Sequence, residues 1–514
     1  MNNERVIAFA ERCERWSVSR PALYDFAVAS FGLLGAAYPV ILLSGTIVVI
    51  AALAVAIHGF AAAFFLKVVW ILGIPLFAVV RAAFRKPEPV AGRRLVRDDA
   101  PDLFTRLDAL RRTYRTPRLD GVFLVPDFRA AVMMRPRFGV FGGIEHNLIL
   151  GLPALLALEM RHLEAVMAHE FGHMAQGRRS FDRFIYAIRS TVAIVFEARV
   201  PKWLHPLLEA FIAWWYPRFE ISSLVVARRV EVEADGLSAA TAGAKTAAEA
   251  LVAFEVQDLR LSRDFWPAVE RRAVSERTPP SDVMLKERAL FETPLANGAP
   301  LLELALAATP APADTHPVLG ARLKALGVDA ADAVGFLIAG EIEKKCSAAE
   351  ELFGTSLDVL LRSLSDDWAA NAAESWSTAW GTLYVQRRQL AKLDEEAADA
   401  ALDESAARER ALLAAQFYRE DARALLEARA AAHPHDASVL LELGRLLLAK
   451  EEDVLGIELL ERAARGDRAT ARVAVEVGAN YLLPRRGRAE TERFVRAIAA
   501  ISGESCAKTA KTPP

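Results

Sequence analysis

The chain is poor in most of the features that staple a protein together or steer it toward a polyanion. Its three cysteines, Cys13, Cys346 and Cys506, are odd in number and far apart, and no Cys-x-x-Cys pair occurs. That excludes a disulfide framework and a thiolate zinc ribbon, and leaves free thiols in a reducing compartment as the expectation. Neither sign of charge dominates: 63 Lys and Arg stand against 65 Asp and Glu, a formal net charge of -2. No nucleic-acid partner is therefore expected. A secretory signal is missing too, because a polar, amphipathic stretch precedes the first apolar run and no small-residue cleavage site stands out. Histidine is scarce, nine in 514 residues, so any two at close spacing carry weight. What is plentiful is hydrophobic surface, 53% of residues, in a chain too long for a single core, so several domains are expected.

From Phe26 to Val80 only His58 and Lys67 interrupt an otherwise uncharged run. This is far longer than the ~20 residues that cross a bilayer once. Two crossings are the natural arrangement, near Ala27 to Ile57 and Phe60 to Val80, with a turn at His58-Gly59; three short spans, split near Gly45 and Lys67, are the alternative. A bend at Pro39 or Gly45 would shorten the first crossing. Arg5, Arg12, Arg15 and Arg20 flank one end, and Arg81, Arg85, Lys86, Arg93, Arg94 and Arg97 flank the other. Both ends thus read as cytoplasmic, which requires an even number of crossings. The expected organisation is a cytoplasmic segment over 1–24 and a transmembrane hairpin over 25–83; a buried soluble helical hairpin is the bland alternative.

The chemistry is concentrated further on, where Ala168-His169-Glu170-Phe171-Gly172-His173 lies among helix formers. Residues at i and i+4 share a helix face, so His169 and His173 can aim at one ion, with Glu170 beside it as a proton acceptor and donor. A chance match to this pattern has a probability on the order of one per cent. Two histidines under-coordinate a catalytic zinc, which takes three protein ligands and keeps one position open. Glu231, in Arg229-Val230-Glu231-Val232-Glu233-Ala234-Asp235, is the best third candidate. Glu233 is the rival, but it points roughly opposite to Glu231 and Asp235 on a helix. Asp235, one turn past Glu231, can hold His169 or His173 in its tautomer. His146 and His162 are expected to be structural.

Three blocks together resemble the HtpX-like family of membrane-bound zinc endopeptidases, related to the CaaX prenyl-protein proteases. These are Leu163 to His173, then Glu231-x-x-x-Asp235 preceded by Arg228 and Arg229, then Thr315-His316-Pro317 followed by Arg322. The resemblance implies one Zn2+ per chain held by His169, His173 and Glu231, with Glu170 as general base. It implies that His316 and Arg322 approach the active site, where they would stabilise an oxyanion; an N-cap loop with a surface Arg is the plain alternative. It further implies a gluzincin-type protease domain, placed at 95–330, acting on unfolded or membrane-associated polypeptides in quality control at a bacterial-type inner membrane. Prenyl-protein processing is disfavoured, since that relative uses many more spans. The alternative from another class is a membrane-anchored helical scaffold with a latent or structural zinc site.

The rest of the chain reads as mainly helical with one small β-sheet. Residues 99–116 carry Leu103, Leu107 and Leu110 on one stripe, and residues 121–151 read as three or four short strands. By the resemblance, the sheet's edge strand pairs with an extended substrate. The aromatic stretch 180–226 holds too many charges for a clean span, so it reads as a surface-lying amphipathic stretch or as core. A Pro/Ala linker lies at 309–313. Residues 331–514 form a C-terminal helical domain, with tetratricopeptide-like hairpins over 399–465 or a plain bundle, a candidate surface for protein partners, and a tail from Gly503 expected to be disordered.

Overall fold

The computed structural model describes residues 3–56, 90, 92–140, 144–175, 205–293, 295, 298–307, 316–333 and 346–501. The expected second crossing, the linker at 309–313, Thr315 and the tail from Gly503 lie outside them, as does all of 180–204.

Two helices open the chain, α1 (Asn3–Ser19) and α2 (Pro21–Ala56), hinged at Arg20. α2 passes Pro39 and Gly45 without a break, and the second expected split, near Lys67, lies outside the described residues. Among the described residues no helix is long and apolar enough to cross a membrane, and the hairpin expected over 25–83 is not supported there. Past Gly35 the side chains of α2 are described only in part, and residues 57–89 fall outside the description.

The next described segment starts with β1 (Arg93–Leu95), α3 (Pro101–Tyr114), β2 (Gly121–Val125), β3 (Ala130–Val140) and β4 (Ile144–Gly151). α3 forms as its pattern dictates. Pro101 sits at its first turn, where a missing N–H costs nothing, and Leu103, Leu107 and Leu110 are buried. The four strands make one sheet in the order β1-β2-β4-β3. β2 and β4 run parallel in its centre, while β3 is antiparallel to β4 with Val132 opposite Leu148. The sequence splits 130–141 into two strands at Pro136, yet β3 is continuous. The reason is that β3 is an edge. Gly151 N–H donates to the Arg129 carbonyl at 2.6 Å, so odd-numbered residues serve the ladder and Pro136, of even parity, removes no ladder bond.

α4 (Leu152–Ala157) and α5 (Met160–Ala175) follow, then α6 (His205–Ala242) and α7 (Ala244–Arg260). α5 is the central helix, with Leu163, Met167, Ala168 and Phe171 in one core with β2, β4 and α3. From His205 onward, the aromatic stretch is the first half of a single 38-residue helix, α6. Core packing is the outcome for Trp215 and Phe219, which are buried.

After a π-turn at Leu261–Phe265 come α8 (Trp266–Arg271), α9 (Val283–Glu292), α10 (Gly298–Ala307) and α11 (Leu319–Leu326). α12 (Ala348–Phe353) and the first turns of α13 (Leu357–Asp399) join the same core as α5. The long helix α13 then leads to two helical hairpins, α14 (Glu404–Gln416) with α15 (Ala422–Ala432) and α16 (Ala437–Ala449) with α17 (Asp453–Ala463). α18 (Arg468–Ile501) packs back on α10, and the Asn480 carbonyl accepts a hydrogen bond from Arg263 at 3.0 Å.

Candidate metal centre

α5 and α6 cross at a glycine. A Cβ on Gly172 would stand 3.3 Å from Ala234 Cα and 3.4 Å from its Cβ, a contact tight enough that a side chain here would press the two helices apart by a few tenths of an ångström. That contact sits between the paired histidines of one helix and the paired carboxylates of the other. It brings His169 and His173 opposite Glu231 and Asp235.

Three side chains converge. His169 Nε2 lies 3.0 Å from His173 Nε2, and Glu231 places Oε2 3.4 Å from the first and Oε1 3.4 Å from the second. Zinc bonds of ~2.0–2.2 Å at a tetrahedral angle separate neighbouring ligands by roughly 3.3–3.5 Å, so the spacing fits one such ion. The donor chemistry fits too: two imidazole nitrogens face each other at 3.0 Å beside a carboxylate, and the buried Glu231 Oε2 has no hydrogen-bond donor among the described residues. Glu170 also brings an oxygen within 4.8 Å of the histidine nitrogens and so competes on distance alone. Its Oε2, however, accepts the Val132 backbone N–H at 2.8 Å, which ties it to the edge strand β3.

Behind the cluster, Asp235 Oδ1 lies 2.9 Å from His169 Nδ1. Arg322, on α11, closes on Asp235 with Nε to Oδ2 at 2.8 Å and Nη2 to Oδ1 at 2.6 Å, and stands 3.9 Å from Glu231 Oε2. Far from being a surface residue, Arg322 is buried. His316 is exposed, with Nε2 3.5 Å from Glu231 Oε1. The fields are strong. Burial alone would depress His169, but Asp235 and Glu231 outweigh it and push it up to about 9. His173 is lowered by burial and by His169. Burial opposes ionisation of both carboxylates and loses: the histidines hold Glu231 at about 2, and Arg322 with His169 holds Asp235 at about 2. Both acids are therefore charged and able to serve a cation.

The sequence-selected residues His169, Glu170, His173, Glu231, Asp235, His316 and Arg322 all come to this one place. Glu233 does not; it faces Arg229 at 4.0 Å on the other side of α6. His162 is buried 3.3 Å from Glu249, and His146 is a β4 residue whose N–H donates to Asp120 at 2.9 Å. Sequence reasoning missed the contact between Glu170 and Val132 and the closeness at Gly172. The second had a signal in the glycine inside the His-Glu-x-x-His helix, where glycine otherwise costs stability.

Residues 149–328 match the model of peptidase family M48. No curated protein and no solved structure matches the chain.

Proposed function

From the premise that residues 149–328 are an M48 metallopeptidase segment, we propose that the protein is a zinc-dependent endopeptidase, with one Zn2+ per chain held by His169, His173 and Glu231. The observation that carries this reading is the convergence of the two Nε2 atoms and the Glu231 carboxylate at 3.0–3.4 Å, with a second carboxylate alongside. Bound zinc supplies Lewis acidity toward the scissile carbonyl. Glu170 accepts the proton of the attacking water at a carboxylate oxygen and returns it to the departing amine. His316, exposed beside Glu231, is placed to donate to the carbonyl oxygen as it gains charge. Arg322 has both nitrogens of its fork on Asp235, so its role is to fix Asp235, which in turn fixes the His169 ring.

The substrate is a polypeptide in extended form. Among the described residues β3 is an edge strand lying against α5, and its even-numbered residues turn their backbone groups away from β4, Val132 toward Glu170, a template for strand addition that depends little on side chains. Attachment to a lipid bilayer through α2 is supported by the uncharged run 26–57 and by the exposed Phe26, Leu33, Leu34, Ile41, Val48 and Val49. With Arg-rich flanks on both sides of the apolar region, the catalytic segment faces the cytoplasm of a bacterial-type cell membrane, where unfolded or membrane-associated proteins are the substrates. The hairpins α14–α15 and α16–α17, whose first helices start at 404 and 437, resemble tetratricopeptide units and offer a surface for protein partners.

The test is cleavage of reduced casein by detergent-purified protein with zinc, against Glu170→Gln. Cutting by the wild type alone supports the reading. Absence of cutting by either, with about one zinc bound per chain, would favour a membrane-anchored scaffold with a structural site.

A further inference from the structure

α6 carries Glu231 and Asp235 on one face and is gripped on another by the N-terminal elbow. Three polar contacts mark this seam, each seven residues after the last. Trp215 Nε1 donates to the Phe31 carbonyl at 2.8 Å, the Ser222 carbonyl accepts from Tyr24 Oη at 2.9 Å, and Arg229 Nη1 donates to Ser17 Oγ at 2.7 Å while Nη2 pairs with Asp25. A seven-residue step returns to nearly the same face of a helix, so the contacts form one stripe. Between them Cys13, Tyr24, Val28, Phe219, Val226 and Val230 close a single apolar cluster. Arg228, next in line, reaches Glu14 at 3.7 Å.

We propose that Arg229 is a positioning residue for the metal centre: by bridging Ser17 of α1 and Asp25 of α2, it sets the rotation of α6 and hence the location of the Glu231 carboxylate. The physical reason is proximity in phase. Glu231 is two residues beyond Arg229, roughly 200° around the helix, so turning α6 about its axis at Arg229 swings Glu231 directly. A 3.0–3.4 Å ligand spacing tolerates little of that. Arg229 is well suited to the task, because a planar fork whose two Nη atoms are held by partners on two helices fixes an orientation that a single ammonium would not. Its side chain is only 18% exposed and that of Asp25 16%, so the pair is sheltered from full solvent screening. Asp25 is also the last charged residue before His58. The root of the apolar helix and the metal helix are thus joined by one ion pair, and the N-terminal elbow becomes a structural part of the catalytic site.

This inference rests on the proposed zinc site, and the experiment separates the two. Full-length wild type, Asp25→Asn, Asp25→Glu and Arg229→Gln are purified in detergent. Each is measured for zinc affinity by chelator competition, for visible absorption with Co2+ in place of zinc, for thermal unfolding, and for kcat and KM on casein. Asp25→Asn and Arg229→Gln should bind zinc ~10–100-fold more weakly, as expected when a support of a ligand is removed, with altered cobalt bands and a fall mainly in kcat. Asp25→Glu, which keeps the charge, should recover most of the affinity. If Arg229→Gln fails to fold, Asp25→Asn decides. Wild-type zinc affinity and cobalt spectrum in a folded Asp25→Asn would overturn the inference, and so would a loss of melting temperature with no change in the cobalt bands. If the wild type itself binds no zinc, the metallopeptidase reading falls, and the inference with it.

Discussion

Asp235 joins His169 to Arg322: one of its oxygens lies 2.9 Å from the imidazole Nδ1, and both oxygens take the guanidinium fork at 2.6–2.8 Å. Either variant breaks a buried ion pair, but only one also touches the histidine. Asp235→Asn strands the buried Arg322 guanidinium and Arg322→Met strands the carboxylate, so each should cost about 3–5 kcal/mol of stability, since an uncompensated charge is worse than none. Asp235→Asn also loses the charge facing His169 and should lower zinc affinity ~10–100-fold. Chelator competition and denaturant unfolding on the two variants test this; a wild-type zinc affinity in a folded Asp235→Asn would contradict it.

Glu170 and the edge strand are joined by the 2.8 Å bond from Val132 N–H. Glu170→Gln should abolish most activity, roughly 10²–10⁴-fold, while zinc content stays at the wild-type level. Val132→Pro is the subtler test. Proline on the open side of an edge strand spares the ladder to β4 but deletes this N–H. One hydrogen bond to a charged group is worth ~1.5–3 kcal/mol of stability, so the melting temperature should fall, and kcat/KM should fall roughly 10–100-fold with it as Glu170 loses its tether.

Gly172 lets α5 meet α6 at Ala234, and the 3.3 Å clearance to a backbone atom means a methyl group must push the helices apart. Gly172→Ala should therefore weaken zinc binding more than it weakens the fold, because alanine is itself the better helix former. Gly172→Val should do both. Circular dichroism melts alongside zinc titration read the two effects, and an unaffected zinc affinity in Gly172→Val would show that the crossing is not held by this contact.

Much of the site was legible because its geometry is local. His169 and His173 share a face by helical period, and Glu231 and Asp235 do the same four residues apart, so each pair needs no tertiary knowledge. What joins the pairs is tertiary. Nothing in the sequence says that Arg322 folds onto Asp235, or that Ser17 and Asp25 lie against Arg229, since those contacts span 87, 212 and 204 positions. In the fold, the stripe of Leu103, Leu107 and Leu110 gave α3, and the apolar runs gave β2 and β4. The strand at Arg93–Leu95 escaped notice because three residues show no periodicity, and it exists only by pairing with β2. Pro136 hides the continuity of β3, since a proline speaks against a strand unless that strand is an edge.

Glu287, fully buried in the core, gives the last prediction. It sits on α9 with no exposed surface, and neither carboxylate oxygen has a hydrogen-bond partner among the described residues. Burial, helped by the negative charge of Asp127, pushes its pKa well above the ordinary carboxylate range, so the folded protein holds it protonated. The sign follows from proton counting. Above the unfolded value of ~4.3 the unfolded chain loses this proton while the folded one keeps it, so stability falls as pH rises, by up to ~1.4 kcal/mol per pH unit, until the raised folded pKa is passed. The contribution is complete only below the unfolded value. Glu287→Gln, which stays neutral in both states, should remove that slope, so the variant gains on the wild type steadily from about pH 5 upward. Urea unfolding of both proteins at several pH values tests it. Parallel pH profiles would mean that Glu287 is ionised in the folded state, with a partner that satisfies it.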